Sequence, residues 1–158
     1  MSFSELTVFE NLGPLDSKFL QESIRGLMTT DLFSVSESAS VSEAIDLMYA
    51  QNIGAVLIVD KDLKLKGIFT ERDLVQKVAN SRAYTSEASI TSVMTPDPTT
   101  EKSSASIAAV LFKMQAGWFR HVPIVDEDNR PIGIVSAKDM IERISLEFLK
   151  EFFRKSPT

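Results

Sequence analysis

Gly67-Ile68-Phe69-Thr70-Glu71-Arg72-Asp73 returns 66 residues later as Gly133-Ile134-Val135-Ser136-Ala137-Lys138-Asp139. The same shift carries Met28-Thr29 onto Met94-Thr95 and Val59-Asp60 onto Val125-Asp126. From position 28 to 73 the copies align without a gap and share 16 identities in 46 pairs. Average composition gives roughly three by chance, so the chain is an internal duplication. Duplicated units ordinarily bury one face of each copy against the other. A site in one copy therefore implies a counterpart in the second, and the ground between the copies is where to look.

Each copy repeats one order of elements. Ser40-Val41-Ser42-Glu43 reads as a capping box, followed by a helix with an apolar stripe through Val41, Ala44, Ile45 and Met48. Ala55 to Val59 is a β-rich run closed by a polar turn from Asp60 to Lys66, then Gly67-Ile68-Phe69 is a second strand, and Thr70 starts a helix. In the second copy the helix stripe is Ile107, Val110, Leu111 and Met114, the strands are His121 to Val125 and Ile132 to Val135, and the turn between them runs from Asp126 to Pro131. The last helix starts near Ser136 and keeps an apolar face through Phe148, Leu149 and Phe152. Before the repeats, Leu15, Phe19, Leu20, Ile24 and Leu27 fall at helical spacing, with Asp16 or Ser17 as cap. The expected organisation is an α+β fold of two β-α-β-β-α repeats: an N-terminal helical extension (1–27), repeat one (28–80), a polar linker (81–91) and repeat two (92–158).

The formal charge of −5 and pI near 4.9 speak against a nucleic-acid footprint. The absence of cysteine excludes a disulfide framework, a thiol nucleophile and a Cys-ligated metal. One histidine, no Ser-centred nucleophile elbow and no Gly-rich phosphate loop leave no catalytic constellation, so neither catalytic nor metal-ligating residues are assigned. Without a long apolar run or a cationic leader, no membrane association is expected, and the cytoplasm is the expected location.

The Met-Thr opening, the Val-Asp strand end and the Gly-Ile-x-Thr/Ser-x-x-Asp ending, all present twice, resemble a tandem pair of cystathionine-β-synthase (CBS) domains, the unit called a Bateman module. The resemblance covers roughly residues 28–145. It implies two repeats related by a pseudo-two-fold axis, with two related clefts between them. Such clefts commonly hold adenosine-containing ligands, among them AMP, ADP, ATP and S-adenosylmethionine. The resemblance further implies a module that regulates another, here unidentified, protein, has no obligatory cofactor, and often pairs as a homodimer.

Within that frame Asp73 and Asp139 are the candidate ribose ligands, helped by Thr70 and Ser136. Ser/Thr-x-x-Asp is by itself a helix-capping pattern. An ionised carboxylate in a first helical turn is also favoured by the helix dipole and accepts hydrogen bonds from a vicinal diol. Arg72 and Lys138 are candidate phosphate contacts, with a solvated helix face as the alternative. Arg120 and His121 occur only in the second copy, where the first has Gly54 and Ala55, and a basic pair at a strand mouth can meet phosphate. If one cleft alone takes a charged nucleotide, that pair favours the cleft it borders. Val35, Ala55, Val56 and Leu57 are candidate adenine walls of one cleft, and Thr100, Val122 and Pro123 those of the other, with core packing as the favoured alternative for each. Glu101, standing where the first copy has Val35, opposes phosphate in the second.

Trp118 and Phe119 suit core packing or a dimer contact, and Phe148, Phe152 and Phe153 suit an oligomer interface formed with the N-terminal helix. The alternative function is an interaction protein that dimerises through the same fold and takes no nucleotide.

Overall fold

The computed structural model describes residues 15–80 and 87–155. Asp16 accepts from the Phe19 N–H and caps a short helix α1 (Ser17–Gln21). The helix expected to run on to Leu27 stops there, because Ser23 takes an extended backbone and caps a separate 3-10 turn, Ile24–Gly26. Repeat one then supplies β1 (Ser34–Ser36), α2 (Val41–Gln51), β2 (Ala55–Val59), β3 (Leu65–Thr70) and α3 (Glu71–Asp73), which continues as a π-helical segment, Leu74–Ala79. After a 3-10 turn (Ile90–Ser92), repeat two supplies β4 (Thr95–Pro96), α4 (Ile107–Gly117), β5 (His121–Val125), β6 (Pro131–Ser136) and the long α5 (Ala137–Lys155). Pro131 belongs to β6 and not to the preceding turn, and the second copy's counterpart of β1 is reduced to a single parallel bridge, Glu101 to Ile124.

Strand order in the larger sheet is β1-β2-β3-β4. β1 runs parallel to β2, and both remaining pairings are antiparallel. β4 opens repeat two yet pairs with repeat one, setting Thr95 against Ile68. Its counterpart at the other sheet is the bridge of Thr29 to Ile134. The two opening segments are thus exchanged. Ile24 is fully buried in the core of repeat two with Phe19, Ile107, Val122 and Met140, whereas Ile90 is fully buried in the core of repeat one with Val41, Val56, Phe69 and Val78. The hydrogen bonds repeat under the 66-residue shift: Ile24 N–H donates to Ala105 O at 2.9 Å, and Ile90 N–H to Ala39 O at 3.0 Å. This is a pseudo-two-fold arrangement in which neither core closes without a segment from outside its own repeat.

The exchange explains the repeated glycines. A Cβ on Gly67 would lie 2.4 Å from Met94 Sδ, and one on Gly133 would lie 2.9 Å from Met28 Sδ. Each crossing methionine packs where a side chain would otherwise stand. A third apolar cluster (Ala55, Leu57, Leu65, Ile68 and Val125) joins the repeats face to face. All of β2 is buried, so its sheet is covered on both sides.

Candidate functional site

Two clefts open between the repeats. The first, about 300 Å³, is lined by Thr70, Arg72 and Asp73 of repeat one and by Thr95, Asp97, Phe119 and Arg120 of repeat two, among others. The second, about 740 Å³, is lined by Ser136, Lys138 and Asp139 with Thr29, Asp31, Ile53 and Gly54. Every residue of the first cleft except Gly117 has its 66-shift counterpart in the second. They are one site built twice.

Each cleft is centred on a helix start. Asp73 Oδ2 accepts from the Thr70 N–H at 3.0 Å and its hydroxyl at 2.7 Å, while Thr70 Oγ1 accepts from the Asp73 N–H. In repeat two, Asp139 Oδ2 accepts from the Ser136 N–H at 2.7 Å and hydroxyl at 2.6 Å. Both motifs are therefore capping boxes, each holding one carboxylate oxygen and leaving the other to be directed elsewhere.

The remaining oxygens differ. Asp73 Oδ1 meets Lys77 Nζ at 2.6 Å and accepts from the Thr95 hydroxyl at 3.0 Å, and the residue is 6% exposed. Burial alone would raise this carboxyl, but the hydrogen bonds from Lys77, Thr70 and Thr95 outweigh it and hold it below its ordinary value. Asp139 is half-buried, and its Oδ1 has no hydrogen-bond or ion-pair partner among the described residues. The position matching Lys77 is Arg143, which is bound to Glu22 Oε2 at 2.6 Å and to Glu147, and lies 4.8 Å over the Phe19 ring.

The basic candidates are also unequal. Arg72 donates to the Trp118 carbonyl, whereas Lys138 has no partner among the described residues. Arg120 and His121 line both clefts and so form a shared wall, not the border of one. Arg120 is 3.9 Å from Glu71 in an exposed pair. Burial, then Arg120, lowers the His121 pKa against the opposing pull of Glu71 and Asp139, which keeps the imidazole neutral near pH 7.

Of the expected adenine walls, Ala55 and Leu57 line the second cleft. Val56 and Val122 are fully buried in the two repeat cores. Successive strand residues face opposite sides, so Val56 cannot share a face with Ala55 and Leu57. Val35 packs on the core of repeat one, Pro123 is buried in β5, and Thr100 offers its carbonyl to Lys113 at 3.1 Å. The neighbouring Thr99 lines the first cleft instead. Glu101 lines neither cleft and pairs with Lys113 at 2.7 Å, an ion pair where repeat one has the apolar Val35 and Leu47. Its charge is answered locally. Sequence reasoning passed over Thr29, Asp31, Phe33 and Ile53 and their counterparts in the first cleft, although Thr29/Thr95 and Asp31/Asp97 are identical pairs of the duplication.

Two symmetric clefts, each pairing a capping-box carboxylate with the exchanged segment of the other repeat, define a tandem-repeat module with a duplicated inter-repeat pocket. The CBS domain family model matches residues 24–80 and 90–146, and the chain belongs to that family as a CBS pair. Both matches begin at the buried isoleucines of the exchanged segments. The CBS-domain protein ATU1752 of Agrobacterium tumefaciens superposes with a TM-score of 0.70 at 33% identity, covering 77% of this chain and 98% of that one. The CBS domain pair of protein MJ0100, solved in complex with 5′-methylthioadenosine and S-adenosyl-L-methionine, superposes at 0.73 with 25% identity over 80% of this chain and 98% of that one. Inosine-5′-monophosphate dehydrogenase of Methanocaldococcus jannaschii is 34% identical over 113 residues, which are 72% of this chain but 22% of that enzyme. The chain thus spans about a fifth of that relative.

Proposed function

We propose that this CBS pair is a regulatory module that binds an adenosine nucleotide or derivative between its repeats and performs no catalysis. The observation that carries the reading is the doubled carboxylate-and-hydroxyl helix start at the mouth of each inter-repeat cleft. The carboxylate suits a ribose diol. The backbone N–H groups of the α5 start, with Lys138, suit phosphate or another polar 5′ substituent. Similarity to a CBS pair solved with two adenosine derivatives supports the ligand class.

The signal follows from the exchanged segments. Thr29 and Asp31 to Phe33 line the second cleft and lead into β1, while Thr95 and Asp97 to Thr99 line the first, with Thr95 paired to β3. A ligand that draws these segments toward the helix starts changes the angle between repeats, and a partner that distinguishes the two angles responds. The outer face of α5, with Phe148 50% and Phe153 70% exposed, is the surface proposed for homodimerisation. No helix among the described residues is long and apolar enough to cross a membrane, and a cytoplasmic setting fits the cysteine-free chain.

A thermal-shift panel of AMP, ADP, ATP, S-adenosylmethionine and 5′-methylthioadenosine tests the reading. A ligand at 100 times its Kd adds about 2.7 kcal/mol, several degrees for a chain of this size. A shift from at least one compound is the expected outcome. Silence across the panel turns the assignment to the interaction protein without a nucleotide.

A further inference from the structure

Building on the nucleotide reading, we infer that the two clefts are not equivalent: the chain takes one adenosine ligand, in the second cleft at Asp139, while the first is occupied by the protein's own side chains.

In the first cleft the two groups assigned to a nucleoside, Asp73 and Arg72, are already engaged. Both Asp73 oxygens are taken, Oδ2 by Thr70 and Oδ1 by Lys77 and Thr95. Lys77 Nζ also donates to Met94 O at 3.1 Å, so the ammonium ties the carboxylate to the crossing segment. A ribose diol seeking Asp73 must displace that ammonium from a nearly buried carboxylate. Arg72, the local phosphate candidate, is turned to the Trp118 carbonyl. What remains is the smaller cavity, about 300 Å³ against about 740 Å³.

The second cleft is left open by particular residues. Arg143 stands where Lys77 stands, one helical turn beyond the carboxylate. Glu22, in the segment joining α1 to the 3-10 turn, and Glu147, one turn further along α5, hold its guanidinium, with Phe19 beneath. The counterpart of Glu22 beside repeat one is Ala88, which offers Lys77 no competing carboxylate. The helices diverge as well: after Asp73 the chain widens into a π segment, whereas after Asp139 it continues as α-helix. Among the described residues, Asp139 Oδ1 and Lys138 are thereby left without partners in the first turn of α5. The N-terminal extension acts here as a positioning element. It keeps a cation off the ligand's carboxylate.

Isothermal titration calorimetry of the full chain with 5′-AMP and with S-adenosylmethionine, on wild type and five variants, tests this. One equivalent is expected for wild type, for Asp73→Asn and for Arg72→Gln. Asp139→Asn should weaken binding at least tenfold, and Lys138→Gln should weaken the phosphate-bearing probe selectively. The Arg72 and Lys138 variants alter exposed side chains, so the comparison survives if a capping-box variant fails to fold. In Lys77→Met a second, weaker equivalent should appear. Two equivalents in wild type, loss of binding in Asp73→Asn or Arg72→Gln with retention in Asp139→Asn and Lys138→Gln, or a single equivalent in Lys77→Met would overturn the inference and leave the nucleotide reading standing. Absence of heat from both probes, with the thermal-shift panel silent, would overturn the nucleotide reading and this inference with it.

Discussion

Replacing Ile24 by alanine should loosen repeat two, although Ile24 leads directly into repeat one. Its side chain is fully buried among Phe19, Ile107, Val110, Val122, Ile124 and Met140. Removing three carbons forfeits about 0.8 kcal/mol for each, or roughly 2.4 kcal/mol of transfer free energy. The cavity left in a packed core brings the total to about 3.5 kcal/mol, within the range for large-to-alanine changes. For a chain of 158 residues that is a fall in Tm of about 7–14 °C. Ile141→Ala, at a 64% exposed position, is the control and should cost under about 0.5 kcal/mol. Urea denaturation gives the magnitude, and native-state hydrogen exchange gives the location. Amides of α4, β5 and β6 should lose protection first in Ile24→Ala, and those of α2, β2 and β3 in Ile90→Ala. A cost below about 1 kcal/mol, or Ile24→Ala loosening repeat one, would refute the exchanged cores.

Gly67→Ala forces a Cβ to within 2.4 Å of Met94 Sδ unless the methionine moves, and should cost about 1–3 kcal/mol in chemical denaturation. Gly133→Ala, meeting Met28 Sδ at 2.9 Å, should cost less. Trp118 closes α4 with φ 55 while 79% exposed, a left-handed conformation that a bulky residue adopts under strain, and its counterpart Asn52 suits the same place. Trp118→Asn should therefore raise stability by about 0.5–1 kcal/mol, read as a higher urea midpoint. His121, with its pKa lowered by burial and Arg120, binds protons less readily folded than unfolded, so stability should decline as pH falls below about 6.5. Asp73, also lowered, contributes stability that is complete above the ordinary carboxylate range and lost as pH falls through its folded value. Thermal melts from pH 7 to 3 should show both declines, and His121→Gln should remove only the upper one.

The duplication carried most of the fold into the sequence. Capping boxes at Ser40, Thr70 and Ser136 fix helix starts through local hydrogen bonds, so spacing alone located them. Exchange of Ile24 and Ile90 left no such mark, because an apolar residue at a segment's head says that it is buried without saying in which copy. The break after Gln21 was hidden by Phe19, Leu20, Ile24 and Leu27, whose spacing fits one continuous helix, while Ser23 instead caps a new turn. At the clefts, both helix-start aspartates were legible. The inequality between them was not, because it depends on where Lys77 and Arg143 turn, and that is decided by Glu22, a residue 121 positions from Arg143.

The most direct test of an adenosine ligand seated between the repeats is a ¹⁵N-HSQC titration of the wild-type chain with 5′-AMP and S-adenosylmethionine. Saturable shifts are expected at Thr29, Asp31 to Phe33, Gly54 and Ala55, and Ala137 to Asp139, residues brought together only across the repeat interface. Saturable shifts confined to the outer face of α5 around Leu146 to Phe153, or none at either cleft, would contradict it.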